Sequence, residues 1–332
     1  MILAGDIGGT NTRMALFEGE PGHPVLSVLE VFSSKEHTGL EEVIGKFREK
    51  YNQVIDAAAF GIAGPVRNGR CETPNLPWIV DSRSVAQCLG LGSAGLLNDL
   101  EANAYGIAVL GENDLATLSE GAPGAAGNQV LISAGTGLGE AGMIAMNGGY
   151  IPYASEGGHG DFAPRNELEI ELLRYLMTRF EHVSCERVLS GPGLFNIYQF
   201  LRDTGRGEEP SWLTEELRQR DPGQVVSGNA LNGRSELCVH ALDLFVSIYG
   251  AEAGNLALKG MATGGVYIGG GIAPRILAKL KEPAFLAAFH AKGRVSKVLQ
   301  AIPVRVILND KTALLGAGRV ALLSELEGRK NA

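Results

Sequence analysis

The sequence predicts an α/β protein made of two similar halves, and three observations carry that expectation. Apolar runs of strand length alternate with amphipathic helical stretches along the chain, the pattern of strands packed against helices. The chain opens on a strand, a glycine turn and a second strand, ILAGDI, Gly8-Gly9-Thr10-Asn11 and TRMALFEG, and the same arrangement restarts as VLISAG, Thr136-Gly137-Leu138-Gly139 and EAGMIAM. Glycine supplies 46 of the 332 residues, well above the usual share of about 7%. These glycines fall in short clusters between apolar runs, so they mark turns where backbone approaches something closely.

In the first half, the opening hairpin is followed by a third extended run, VLSVLEVFSS. Thr38 stands three residues before Glu41 and opens a stretch with apolar Leu40, Val43, Ile44 and Phe47. That spacing predicts a capping box and an amphipathic helix ending near Tyr51-Asn52. The strand DAAAFGIAGPV stops at Gly64-Pro65, and TPNLPWIVD leads into a short helix over Ser84–Leu89. The strand AGLLND then runs straight into the helical LEANAYGIAVL. Residues 111–128, rich in small residues and without periodicity, are expected to be a connector or mobile loop. In the second half, Asn166 and Glu169 cap a helix running through Phe180, and SELCVHALDLFVSIYGAEAGNLALKGM reads as a buried core helix. GGVYIGGGIAP is a strand running into three glycines, and IPVRVIL precedes a helix from near Asp310 that should pack back on the first half. The expected division is therefore residues 1–109 joined by the C-terminal helix 310–332, and residues 110–309.

Composition excludes several function classes. At 45% hydrophobic and 20% charged residues the chain is an ordinary globular sequence, long enough for two domains or one large α/β unit. The formal charge of −8, with no block of like charges, excludes a nucleic-acid surface held by counterion release. No apolar run approaches the roughly 20 residues that span a bilayer, and Met1 leads into a strand-like segment without a basic leader. No membrane partner is expected. Cys71, Cys88, Cys185 and Cys238 are scattered without a CxxC pair, which argues against a zinc site or disulfide framework and for a reducing cytoplasm.

The glycine turns carry the first chemistry. The phosphate loop GxxxxGK[ST] is absent. A literal GxGxxG occurs at Gly137, Gly139 and Gly142, with Asp161 downstream, but a dinucleotide site needs a helix straight after its glycines. Here MIAM followed by Asn147-Gly148-Gly149 reads as a strand and a second turn. Tight turns lacking Cβ atoms instead expose successive backbone N–H groups that hold phosphate oxygens, and the Thr10 and Thr136 hydroxyls add donors. Asp6, just before the first turn, is placed to hold a magnesium ion through water. A lone glycine turn is more often only a turn; three together, each leaving an apolar strand, count against that reading.

The remaining candidates suit a polyol. Asn98-Asp99 lies where a strand gives way to a helix, a position from which side chains project into a ligand crevice, although Asp99 as a simple helix cap explains it equally well. In SEGGHGD, Glu156 and His159 offer a pure acceptor beside an imidazole that both donates and accepts, matching vicinal sugar hydroxyls. Glu186, taken alone, reads as a surface charge.

These segments together resemble a bacterial glucokinase of the hexokinase, actin and Hsp70 superfamily. GDIGGTNTR, TPNLPW, LLNDLEANAYG, SAGTGLGEA, SEGGHGDFAP, CERVLSGPGL and GGVYIGGGIAP occur in family order across nearly the whole chain. The resemblance implies a two-lobed actin-like ATPase fold, a ribonuclease H-like duplication with its cleft between the lobes. It implies ATP and Mg²⁺ as cofactors, with Asp6, Gly8, Gly9, Thr10 and Asn11 at the first phosphate turn and Gly135, Thr136 and Gly137 at the second. Gly269-Gly270-Gly271 takes the adenosine side. Asn98, Asp99, Glu156, His159 and Glu186 correspond to the glucose ligands, Asp99 being the general base, and Asn75 lies near the sugar. A cytoplasmic homodimer is implied as well.

Departures from related kinases narrow the expectation. HGDFAPRNELE lacks the cysteine-rich zinc motif of ROK proteins, so the zinc-free branch is preferred. SAG replaces a frequent Gly-Pro-Gly at the second phosphate turn. The expected reaction is transfer of the γ-phosphoryl of ATP to the glucose 6-hydroxyl, with lobe closure excluding water. The alternatives are a kinase for another hexose or N-acetylhexosamine, one using ADP or polyphosphate, or a nucleotide-driven conformational ATPase of the actin and Hsp70 type.

Overall fold

The computed structural model describes residues 1–74 and 76–331. The chain divides into two compact units, Met1–Glu112 with the segment from Asn309 onward, and Asn113–Leu308.

The first unit is built on a five-stranded sheet. Strands β1 (Ile2–Ile7), β2 (Asn11–Glu20) and β3 (His23–Ser33) form an antiparallel meander, and β4 (Ala57–Ile62) lies parallel to β1 on its other side. A two-stranded ribbon of β5 (Arg70–Glu72) and β6 (Ile79–Asp81) precedes β7 (Gly95–Asn98), which adds parallel to β4. The sheet order is β3-β2-β1-β4-β7. Alternation along β1 sends Leu3 and Ile7 to one face, where they pack with Phe47, Phe60 and Trp78, and Ile2 and Ala4 to the other, with Phe17, Leu314 and Ala321. A strand buried on both faces is expected where helices cover both sides of a sheet. The helices of this unit are α1 (Leu40–Lys50), α2 (Ser82–Leu89) and α3 (Asp99–Ile107), joined by the C-terminal helix, which packs on α3, β1 and β4.

The capping expectation for α1 is corrected in register. Gly39 takes the N-cap position, and the Thr38 amide and hydroxyl donate to Glu42 rather than to Glu41, at 2.8 and 2.9 Å. Helix α2 begins two residues earlier than expected because Asp81 accepts from the Arg83 amide.

The second unit repeats the plan. Residues 111–128, expected to be a connector, contain β8 (Leu115–Ser119). It is followed by β9 (Gln129–Ala134), β10 (Leu138–Met146) and β11 (Gly149–Ser155), again an antiparallel meander. Strand β12 (Gly265–Gly269) lies parallel to β9, and β13 (Val304–Ile307) parallel to β12. The order β11-β10-β9-β12-β13-β8 reproduces that of the first sheet and adds β8 antiparallel at one edge. The duplication anticipated from the two glycine turns is thus present as identical strand topology. Gly139 and Gly142 lie inside β10, opposite Ser133 and Val130, so no helix follows the GxGxxG match.

Helices α4 (Glu167–Met177), α5 (Gly191–Asp203), α6 (Ser211–Gln219) and α7 (Pro222–Leu231) lead to α8 (Glu236–Gly260). Asn166 caps α4 as expected, but the helix stops at Met177, three residues short of Phe180. Helix α8 is long and apolar enough to cross a membrane by length and composition, yet most of it is buried in the unit's core. There Phe245, Tyr249 and Ala253 join a cluster with Val130, Ile132, Val266 and Ile268 of the sheet. Helices α9 (Leu277–Leu280), α10 (Pro283–His290) and α11 (Ser296–Gln300) complete the unit, and α12 (Thr312–Asn331) returns to the first.

Candidate active site

In the first unit the candidates gather at the carboxyl ends of three neighbouring parallel strands. Ile7 of β1 pairs with Ile62 of β4, and Ile62 with Asn98 of β7. These strand ends form a row with about 4.8 Å between neighbours, bringing the Gly8 turn and Asp99 to the same edge of the sheet. The turn is closed by Gly8 N–H donating to Asn11 O at 3.0 Å, and Ser34 Oγ donates to Gly8 O at 2.8 Å. Thr10 and Asn11 are exposed on it. A shallow pocket beside the turn is lined by Ile7, Gly8, Gly9, Ala63, Thr73 and Leu76. Asn75 lies outside the described residues, but its flanks are fixed: Thr73 Oγ1 bonds to the Leu76 carbonyl at 2.8 Å, and Trp78 Nε1 donates to His37 O at 3.0 Å.

At the strand-to-helix junction Leu100 N–H is shared, reaching Asp99 Oδ1 at 3.0 Å as well as the N-cap residue Asn98. Asn98 is the N-cap of α3: its Oδ1 accepts from Leu100 N at 2.8 Å, and its own N–H donates to Glu101 Oε2 at 3.1 Å. Asn98 Nδ2 donates to Gly64 O at 2.9 Å. Asp99 is the first helical residue, where the helix N-terminus favours its negative charge. Burial pushes the nearby Cys71 thiol up, and the Asp99 and Glu72 charges add to that.

Asp6 stands opposite Arg13 in the β1–β2 register, with Arg13 Nη1 at 3.8 Å from its carboxylate. Arg13 donates more closely to Asp310, at 2.6 Å to the carbonyl and 2.9 Å to Oδ2. Burial pushes the Asp6 carboxyl above the usual carboxylate range, Arg13 pulls it down and Asp310 pushes it up. A hard carboxylate oxygen beside a turn of backbone donors is the kind of donor magnesium takes through its own waters, so Asp6 fits that role.

The second unit assembles the other candidates around its own turn. Gly135 N–H donates to Gly137 O, and Gly191 N–H to Gly135 O, both at 2.8 Å. Thr136 is exposed at the tip. Glu186 is not the free surface charge it resembles in isolation, because its Oε2 accepts from Leu138 N–H at 2.9 Å. On the other side, Gly269 pairs with Ser133, and Gly270 adopts φ 81°, so close to Ala134 that a Cβ would collide with its backbone.

Glu156 and His159 flank a 3₁₀ turn, Gly157–His159, and approach to 3.9 Å while 70% and 61% exposed. Cys185 N–H donates to Gly160 O at 2.8 Å, and Asp161 bridges Ser184, which ties this turn to the segment carrying Glu186. Glu156, His159, Glu186 and the Gly135–Gly137 and Gly269-Gly270 turns are therefore parts of one local assembly. Sequence reasoning passed over Glu140, an acid at an inward position of β10, only 1% exposed. Arg165 pairs with the buried Glu169 and bonds Ser247. Among the described residues, no three His, Cys, Asp or Glu side chains are grouped to hold a metal ion.

Comparison with known proteins identifies the family and the fold. The glucokinase family profile matches residues 3–324. The glucokinase of Nostoc punctiforme is 41% identical over 97% of this chain and 98% of its own. A crystal structure of glucokinase from an Antarctic psychrotroph superposes with a TM-score of 0.85 at 30% identity, covering 96% of this chain and 98% of that one. A ROK family glucokinase from Streptomyces griseus, solved with glucose and AMPPNP, shares the fold at TM-score 0.63 and 20% identity, over 96% of this chain and 98% of that one. The chain belongs to the glucokinase family.

Proposed function

We infer that the chain catalyses ATP-dependent phosphorylation of glucose at the 6-hydroxyl. The observation that carries this reading is the row Ile7, Ile62, Asn98, which sets an acid, Asp99, at the same sheet edge as a turn with bare backbone donors. Phosphoryl transfer asks little covalent chemistry of the protein; it needs two oxygens held in line and charge offset on the transferring group. Asp99 accepts a hydrogen bond from the 6-hydroxyl, orients its lone pair and takes its proton. Gly9, Thr10 and Asn11, with Thr136 and Gly137, donate to phosphate oxygens, Gly8 and Gly135 closing the two turns through their own N–H bonds, while Gly269 and Gly270 border the adenosine. Asp6 would hold Mg²⁺ through water, and the ion, when bound, neutralises phosphate charge.

Glucose is read by hydroxyl pairing. Glu156, His159 and Glu186 accept and donate around the ring, with Asn75 close to it. Asn98 Nδ2 uses one N–H on Gly64 O and retains the other for sugar. A site of this kind rejects an analogue lacking one hydroxyl because a polar group is left unpaired. The two compact units act as the small and large domains, the protein works in the cytoplasm, and we expect a homodimer, which light scattering of the purified chain tests.

The decisive experiment is a coupled assay across glucose, other hexoses and N-acetylhexosamines, with ATP, ADP and polyphosphate as donors. Turnover with glucose and ATP should exceed every other pair. Faster turnover of an N-acetylhexosamine, or ATP hydrolysis unaffected by any sugar, overturns the reading.

A further inference from the structure

We propose that Glu140 is a positioning residue for the sugar-binding turn, and that it supports Glu156 and His159 only while its carboxyl group is protonated. This rests on the reading of Glu156 and His159 as sugar ligands.

The turn Gly157–His159 sits directly on Glu140. Ser155, the last residue of β11, pairs with Glu140 across the sheet, and a Cβ on Gly157 would collide with Glu140 Oε2. A Cβ on Gly158 would likewise collide with the Leu138 carbonyl. Glycine at both positions lets the main chain close over the carboxyl group, leaving Glu140 only 1% exposed. Glu140 Oε1 has no hydrogen-bond partner. The groups facing it from the neighbouring elements do not replace hydration. From α8 come Glu252, 6% exposed and bonded by Asn255 Nδ2 at 2.9 Å, Lys259 at 3.7 Å from Glu252, and the Tyr249 hydroxyl. From the segment bearing Glu186 comes the Cys185 thiol, pushed up by burial and by the Glu252 and Glu140 charges, so that it stays neutral. The covering turn adds Glu156 and His159, paired with each other at the surface.

Burial, with the Glu252 charge adding to it, pushes the Glu140 carboxyl up to about 7, against the weaker pull of Lys259. An ionised carboxylate without partners demands water. The least costly way to admit it is to lift the glycine turn that covers Glu140, which displaces Glu156 and His159. Sugar bound to the closed turn then favours the protonated form, since coupling between the two equilibria is reciprocal.

The test is the pH profile of steady-state kinetics at saturating ATP for the full chain. Wild-type glucose KM should rise about threefold or more from pH 6 to pH 8.5 while kcat changes less, a modest coupling. Glu140→Gln, a neutral isostere, should hold KM near the wild-type low-pH value across the range. Glu252→Gln removes the like charge, so the rise should begin at lower pH. A flat wild-type KM, or a Glu140→Gln variant that keeps the wild-type rise, overturns the proposal, and its melting curve shows whether the variant folds. Glu156→Ala separates the two readings. A normal glucose KM in that variant overturns the sugar-ligand reading, whereas a raised KM beside an unaltered Glu140→Gln profile overturns the role of Glu140 alone.

Discussion

The two glycine turns sit on the same strand topology yet are held by opposite means. The Gly8 turn is braced by neutral hydroxyls, Thr12 and Ser34, while its neighbouring acids Asp6 and Asp99 are left beside it at the sheet edge. The Gly135 turn is braced by a carboxylate, Glu186, which accepts from Leu138 N–H, and a second acid, Glu140, lies buried under the adjoining turn. In the first copy these acids are held by their own neighbours, Asp6 by Arg13 at 3.8 Å and Asp99 by Leu100 N–H at 3.0 Å. The other uses an acid to fix its own backbone. The two copies share one strand order and differ in where their carboxylates stand relative to the turn.

The largest expected effect breaks the first turn's half of this comparison. Asp99→Ala should lose about 10²–10⁴ in kcat, the usual worth of a positioned general base, with glucose KM within a few-fold of wild type. Leu100 N–H keeps its bond to the N-cap residue Asn98 when its contact with Asp99 is lost, so the helix should survive the change, and far-ultraviolet circular dichroism checks that. Retention of more than about a tenth of the wild-type rate excludes Asp99 as the base.

Glu186→Ala attacks the other half, because this carboxylate is both a brace and a proposed sugar ligand. Removing it leaves Leu138 N–H without its partner, which costs about 1–3 kcal/mol where the group is buried. It should also raise glucose KM about tenfold or more, in keeping with the loss of a charged hydrogen bond. A destabilised variant with unaltered KM shows that Glu186 is a brace only.

What the sequence made legible follows the same divide. Both opening hairpins were readable because Gly and Asn punctuate a clean switch from one apolar run to the next, and Asn98-Asp99 because a strand runs into a helix with nothing between. Strand β8 was not: LATLS is a short edge strand of small residues without alternation, and its identity comes from β13, almost two hundred residues later. The cap of α1 slipped by one residue because Gly39 takes the N-cap, bringing Glu42 rather than Glu41 back to Thr38. Glu186 showed nothing by its own chemistry, since its partner Leu138 is 48 residues away; the family resemblance alone singled it out. Glu140 did leave a trace, a charge at an inward position of an otherwise apolar alternation.

A smaller effect sharpens the contrast through stability. The Glu140 carboxyl is pushed up to about 7 in the folded chain, against an unfolded value near 4.3. Between those values the folded state binds the extra proton, so stability is full below the ordinary carboxylate range and declines as pH rises through about 7. Thermal or urea unfolding should show wild type losing about 1–3 kcal/mol relative to Glu140→Gln between pH 5 and pH 8.

The smallest effect concerns Arg13, which stands close after the first turn. The side chain is already engaged: it donates to both the carbonyl and the carboxylate of Asp310 and lies only 3.8 Å from Asp6. It therefore ties the start of β2 to the segment that leads into α12. Asp310 is well exposed, so the pair is open to solvent and contributes below about 1 kcal/mol. Arg13→Ala should lower the melting temperature slightly and shift KM for ATP by no more than about twofold, whereas losing a phosphate-binding arginine costs about tenfold or more. A tenfold rise would mean that Arg13 exchanges Asp310 for the nucleotide. The first turn would then hold phosphate with a charged side chain as well as bare backbone, and the contrast with the second turn would widen.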